Sequence, residues 1–287
     1  MRWKGRTTSS NVRDNRGRGG TGLRVGGGLG VGGIVIVLAL ALLTGNDPLQ
    51  MLSMLAGDGA APTSAPRPAD GSPDRDLEFV GVVLGDTEQV WGELFQQQGA
   101  RYQEPQLELY TASVRSACGS ATAAVGPFYC PADHTVYLDT SFFDDMRRQL
   151  GGGGDFAEAY VIAHEVAHHV QTLTGTTARV DAARRAGQRV EGADGLLVRQ
   201  ELQADCYAGV WAHHAEARNR WMDPGDIERA LATASAIGDD RLQRRSTGTV
   251  NPDSFGHGTS EQRVRWFRTG FDTGDPARCD TFAARAL

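Results

Sequence analysis

Residues 160–171 read Tyr-Val-Ile-Ala-His-Glu-Val-Ala-His-His-Val-Gln, placing His164 and His168 four apart with Glu165 directly after the first. In a helix a four-residue step returns to within about 40° of the same direction, so both imidazoles can meet one ion. That pair is a metal-ligand arrangement of the kind zinc takes. Glu165 lies on the flank of the same face, where a carboxylate can reach a metal-activated water without displacing a ligand. It is the candidate general base. Two histidines leave a catalytic zinc short of a third protein ligand, and Glu201-Leu202-Gln203-Ala204-Asp205 offers one from a second helical stretch. Glu201 is the candidate ligand. Asp205, one turn later, can accept the outer N–H of a zinc-bound histidine and so hold its ring. Leu202, Tyr207, Val210 and Trp211 around this pair argue against a merely solvated acidic face.

The elements that must position these groups follow from periodicity. Phe156, Tyr160, Ile162, Ala163, Val166, Ala167 and Val170 fill the side opposite the histidines, which predicts a buried helix over residues 156–173. Asp155-Phe156-Ala157-Glu158 reads as a capping-box variant after the glycine run at 151–154, a candidate hinge, and Gly175 as the stop. The Glu201 helix should span about 196–220. His169 points about 100° away from His168 and is not expected at the same ion; His134 reads as a turn residue, and His213 and His214 as surface residues.

Together, H-E-V-A-H followed by E-L-Q-A-D resembles a gluzincin-type zinc peptidase. More narrowly, the chain is similar to a bacterial family of membrane-anchored neutral zinc metallopeptidases. The likeness is carried by Met1-Arg2-Trp3-Lys4-Gly5-Arg6, residues 119–131, Val136-Tyr137-Leu138-Asp139, the two helical motifs and His257-Gly258-Thr259-Ser260. It implies peptidase chemistry without fixing a substrate. It also implies an edge strand over the zinc helix that pairs with extended substrate, for which 136–139 is the candidate. Similar enzymes carry a His-then-Arg segment after the third ligand. His257, flanked by glycines at a helix entrance, is thereby a candidate donor to the carbonyl oxygen as it gains charge, with Arg263 as the weaker one.

The formal charge of −6 is the sum of +6 over the first 24 residues and −12 over the rest, so the bulk of the chain is acidic and nucleic-acid binding has no support. Residues 1–24 read as a basic, disordered cytoplasmic head. Residues 25–45 carry no charge and are just long enough to cross a bilayer, with a cleaved signal peptide as the alternative. By the positive-inside rule everything after this single span lies outside the cytoplasm of a bacterial cell. Residues 46–73, ending in a Pro-, Ala-, Gly- and Ser-rich run, form a linker, and 74–287 the zinc metallopeptidase domain. Four cysteines without C-x-x-C spacing allow three pairings; the preferred one joins Cys118 to Cys130 and Cys206 to Cys279.

Within the domain, Asp86-Thr87-Glu88-Gln89 resembles a capping box opening a helix, residues 107–111, 128–129 and 134–139 read as strands, and 141–150 as a short helix. Further helical stretches are expected within 176–195, from 223 to 237, and after a cap at Thr259 or Ser260. The fold class is therefore α+β: a helix-dominated, zincin-like domain with a small sheet, behind one N-terminal transmembrane helix. The function expected is a zinc-dependent endopeptidase acting on a peptide or protein substrate, with zinc as cofactor and the membrane as a partner through the N-terminal span. A non-catalytic scaffold of the same fold and a zinc amidase acting on cell-wall peptides are the alternatives.

Overall fold

A helix that is apolar on every side but one must be enclosed by its neighbours, and the zinc-motif helix is such an element. The computed structural model describes residues 1–17, 74–149, 154–236 and 238–287. Strand β1 (Val12–Asp14), helix α1 (Arg75–Gln97) and strand β2 (Gln106–Tyr110) come first, followed by the hairpin of β3 (Ser113–Ser116) and β4 (Gly119–Thr122), then β5 (Phe128–Cys130) and β6 (Thr135–Asp139). The rest is helical: α2 (Ser141–Gln149), α3 (Asp155–Leu173), α4 (Thr176–Arg185), α5 (Leu196–Asn219), α6 (Asp226–Ala236), α7 (Asp239–Thr247) and α8 (Ser260–Thr273). This is the expected α+β arrangement, rich in helix with a small sheet.

Helix α3 carries the histidines and sits at the centre, with α1, α4, α5, α6 and β5 packed on it. Phe156, Ala159, Ile162, Val166 and Val170 are all buried. The most extensive helix contact joins α5 to α8. There a Cβ on Gly209 would lie 2.1 Å from the Phe267 carbonyl oxygen, and one on Gly270 would lie 1.9 Å from that of Cys206. Only glycine permits backbones to come so close. Both disulfides have the preferred pairing: Cys118–Cys130 ties the β3–β4 turn to β5, and Cys206–Cys279 ties α5 to the C-terminal turn Pro276–Cys279.

The main sheet has the order β1-β2-β6-β5, with β1, β2 and β6 parallel and β5 antiparallel to β6. Strand β6 is therefore not the edge that residues 136–139 were expected to form. It has a partner on each side and all five of its residues are buried, whereas β1 and β5 are the edges. Alternating side chains reveal a strand but say nothing of its neighbours.

The N-terminal segment also departs from expectation. Residues 1–17 are not a disordered head: Trp3 is buried against Phe79, and β1 is hydrogen-bonded into the sheet beside β2. Arg16 pairs with Asp14 and Asp74, Arg2 with Asp223, and the Arg6 guanidinium donates to the Asn219 carbonyl. The acidic domain absorbs these charges, which composition alone does not reveal. The span expected at 25–45, the linker at 46–73 and the hinge glycines 151–153 lie outside the described residues. Among those described, no helix is long and apolar enough to cross a membrane.

Several local readings are corrected by side-chain contacts. Helix α1 is capped by Asp74, whose carboxylate accepts from the amides of Asp76 and Leu77, and it runs unbroken through residues 86–89. Asp86 there accepts from Trp211 and Asn219 instead of capping. No side chain caps α3: Asp155 accepts from Trp3 and Arg75, and Glu158 from Arg75 and Arg147. His213 and His214 are half-buried and hydrogen-bond to the carbonyls of Phe271 and Gly274. Helix α7 and the β3–β4 hairpin have no counterpart in the sequence reading. Thr259 caps α8 as expected, with Gln262 completing a capping box.

Replacing Gly270 by alanine must force α5 and α8 apart, and is expected to cost about 3 kcal/mol or more, as severe overpacking does. Gly92 on α1 has open space around its would-be Cβ. Gly92→Ala should therefore stabilise by about 0.5–1 kcal/mol through helix propensity. Urea unfolding of both variants checks the pair, and similar midpoints would refute the close crossing.

Candidate metal and catalytic site

His164 and His168 project from successive turns of α3 toward Glu201 on α5. The Nε2 of His164 lies 3.2 Å from Glu201 Oε2, and the Nε2 of His168 lies 3.5 Å from Glu201 Oε1. One ligand atom from each of the three residues falls within 4.8 Å of the others. Donors bound at 2.0–2.1 Å around a tetrahedral zinc stand about 3.3 Å apart, close to the two separations between a histidine and Glu201.

The outer nitrogen of each histidine is occupied. His164 Nδ1 donates to Asp205 Oδ1 at 2.9 Å, on a carboxylate that is wholly buried. Asp205 also accepts the Tyr160 hydroxyl at 2.5 Å and two bonds from Arg263, each 2.9 Å, and Arg263 Nη2 reaches the Tyr160 oxygen at 3.2 Å. His168 Nδ1 donates to Gln171 Oε1 at 2.9 Å. The Gln171 amide in turn donates to the Gln200 carbonyl and to Gln203 Oε1, and Gln203 donates to the carbonyl of Cys279. A histidine whose Nδ1 carries the proton leaves Nε2 free for a metal, the tautomer this site needs.

Electrostatics follow the same contacts. Burial disfavours charge on His164, but Asp205 and Glu201 outweigh it and raise its pKa to about 10. His168 is likewise raised, by Glu201 against burial. Burial opposes ionisation of Asp205, yet Arg263 and His164 overcome it and hold the carboxyl at about 2. Glu201 is held well below its ordinary value by the two histidines, again against burial. Glu165 differs: burial dominates and its pKa is raised. A carboxylate lifted toward neutrality is a better proton acceptor at physiological pH.

These groups line a cleft of about 480 Å³, bounded by Val125, Pro127, Phe128, Phe142 and Leu242 as well as by Glu165, His257 and Arg263. Its wall includes the edge strand β5. His257 stands at the rim with its side chain 59% exposed, its amide 2.6 Å from Asp239 Oδ2 and its Nδ1 3.3 Å from Asp239 Oδ1. The hydrogen bond to Asp239 raises its pKa. Arg263 reaches the cleft wall, but its guanidinium is engaged with Asp205 and Tyr160. His169 is not part of the ligand group: it is buried between the Tyr129 hydroxyl and the Gln103 carbonyl, and burial holds its pKa down at about 4. His134 sits in a left-handed turn but is half-buried, not a surface residue, with its ring against His169.

Tyr160, Gln171, Gln203 and Asp239 were missed from the sequence. Tyr160 looks like part of the apolar side, although it precedes His164 by one helical turn, and Gln171 follows His168 by three residues. Both spacings put a side chain beside the histidine it serves. Gln203 lies between Glu201 and Asp205 and Asp239 opens an unforeseen helix, so only the tertiary structure discloses them.

The profile of the "Putative neutral zinc metallopeptidase" family matches residues 1–282, and the chain belongs to that family. It is 46% identical over 288 residues to "Uncharacterized protein YpfJ" of Escherichia coli strain K12, covering 98% of this chain and 99% of the relative. It is 48% identical over 196 residues to "Uncharacterized protein Rv2575" of Mycobacterium tuberculosis strain H37Rv, covering 65% of each chain. No solved structure matches.

Gln171→Met removes the acceptor for His168 Nδ1 at nearly constant volume. Zinc affinity is expected to fall roughly 10–100-fold, the usual effect of losing such a partner, with the circular-dichroism spectrum unchanged. Competition against a chromogenic chelator measures it, and undiminished affinity would remove Gln171 from the site.

Proposed function

We propose that this protein is a zinc-dependent endopeptidase whose catalytic domain lies outside the cytoplasm. The observation that carries the reading is the trio His164, His168 and Glu201, whose ligand atoms lie within 4.8 Å of one another in a cleft that also holds Glu165. Membership of a zinc metallopeptidase family agrees with it. Two disulfides support the extracytoplasmic placement, since such bonds persist in oxidising compartments.

The zinc would be held by His164, His168 and Glu201, and it supplies Lewis acidity toward the scissile carbonyl and toward water. Glu165 accepts the proton of the attacking water, its raised pKa suiting it to that task. Asp205, fixed by Arg263 and Tyr160, keeps the His164 ring in place, and Gln171 does the same for His168. Arg263 thus acts by holding Asp205. The developing negative charge on the carbonyl oxygen falls to His257, which Asp239 steadies from behind. An extended peptide can add to the free edge of β5, so that backbone bonds supply affinity and the apolar walls receive side chains.

Glu165→Gln is expected to retain zinc while the rate of peptide hydrolysis falls about 10²–10⁴-fold. Comparing the protein termini generated in cells carrying wild type and Glu165→Gln would name the substrates. If the two sets of termini coincide, the protein is a scaffold and not a peptidase. His257→Ala should also keep zinc and fold, with kcat reduced roughly 10²-fold and substrate binding little changed. Full activity in that variant would confine His257 to structure.

A further inference from the structure

The N-terminal segment is built into the domain as firmly as any internal strand. Backbone bonds join Leu107 to Asn11, Asn15 to Leu109, Ser9 to Gly81 and Arg2 to Trp221. Side chains add to them: Ser9 and Asn11 donate to Glu88, and Trp3 donates to Asp155 at the start of the helix that bears the zinc motif. Helix α1 is shaped to receive this segment. A Cβ on Gly81 would lie 3.2 Å from that of Thr8, and one on Gly85 would lie 3.2 Å from the Ser9 nitrogen. Two glycines one turn apart weaken a helix unless something must approach it closely, and here residues 8 and 9 do.

The described chain stops at residue 17 and resumes at residue 74. The two ends meet: Arg16 Nη2 lies 2.7 Å from Asp74 Oδ2. A chain that crosses a bilayer once between residues 17 and 74 would separate these partners by the full thickness of the hydrocarbon core, about 30 Å. The single-pass topology expected from the basic head and the uncharged stretch 25–45 is thus incompatible with the folded domain.

We infer that residues 1–17 and the catalytic domain occupy the same side of the membrane, so that the chain does not cross the bilayer a single time between residues 17 and 74. Together with the two disulfides, this places the basic N-terminal segment outside the cytoplasm, against the positive-inside expectation.

The full-length protein in intact cells tests the inference by thiol labelling. All four native cysteines are in disulfides, so introduced thiols report alone. Ser10 and Arg185 are both exposed, one on the N-terminal segment and one on the domain. Ser10→Cys and Arg185→Cys should react with a membrane-impermeant maleimide alike, both labelled if the disulfide argument holds, and both should react after detergent. Equal protection of the two would keep the shared side while moving it to the cytoplasm. Labelling of one without the other in intact cells would establish a single crossing and overturn the inference. This result is independent of whether the site hydrolyses peptides.

Discussion

The carboxylate of Asp205 is the contact on which the site depends. A wholly buried carboxylate is tolerated only if its charge is matched and its lone pairs are filled, and Asp205 meets both conditions through Arg263, Tyr160 and His164. Removing one partner from such a buried ion pair typically costs about 3–5 kcal/mol, so Asp205 and Arg263 constrain α5 and α8 as much as they serve His164. Their meeting requires the close glycine crossing at residues 209 and 270. Core packing and ligand orientation are therefore one problem: α8 cannot drift from α5 without releasing the carboxylate that holds the first histidine.

The second histidine is held by a different device. His168 leans on an amide, Gln171, and the amide series continues through Gln203 to the carbonyl of Cys279. Cys279 is bonded to Cys206, the residue after Asp205. Both orienting arrangements thus converge on one turn of α5, through a charge for His164 and neutral amides for His168. Neutral partners suit His168, since another carboxylate here would add to a site already containing Glu165, Glu201 and Asp205.

Much of this was legible in the sequence because it rests on local periodicity. The spacings His164 to His168 and Glu201 to Asp205 place side chains on helix faces whatever the rest of the chain does, and the α+β class follows from the same patterns. What was not legible depends on which elements become neighbours. Residues 136–139 announce a strand, but only pairing with β2 and β5 makes it internal. Asp86 looks like a cap because it stands before Thr87-Glu88-Gln89, yet it serves Trp211, far along the chain. The N-terminal segment misled for the same reason: its arginines suggest solvent when read alone, while Asp74 and Asp223, which pair with Arg16 and Arg2, lie more than fifty residues away.

Charge balance links the site to the ion that its family implies. Glu165, Glu201 and Asp205, taken as ionised, carry three negative charges into a largely buried space, and Arg263 returns one positive charge. Further positive charge is needed to balance the rest. Without a metal the carboxylates favour protons on both ligand histidines, raising the pKa of His164 to about 10 and shifting that of His168 upward. A divalent cation at the three ligand atoms would take the place of such protons and supply positive charge of its own. The buried carboxylates therefore require a positive complement in either state, and His164, His168 and Glu201 gather the ligand atoms through which a zinc ion would supply it.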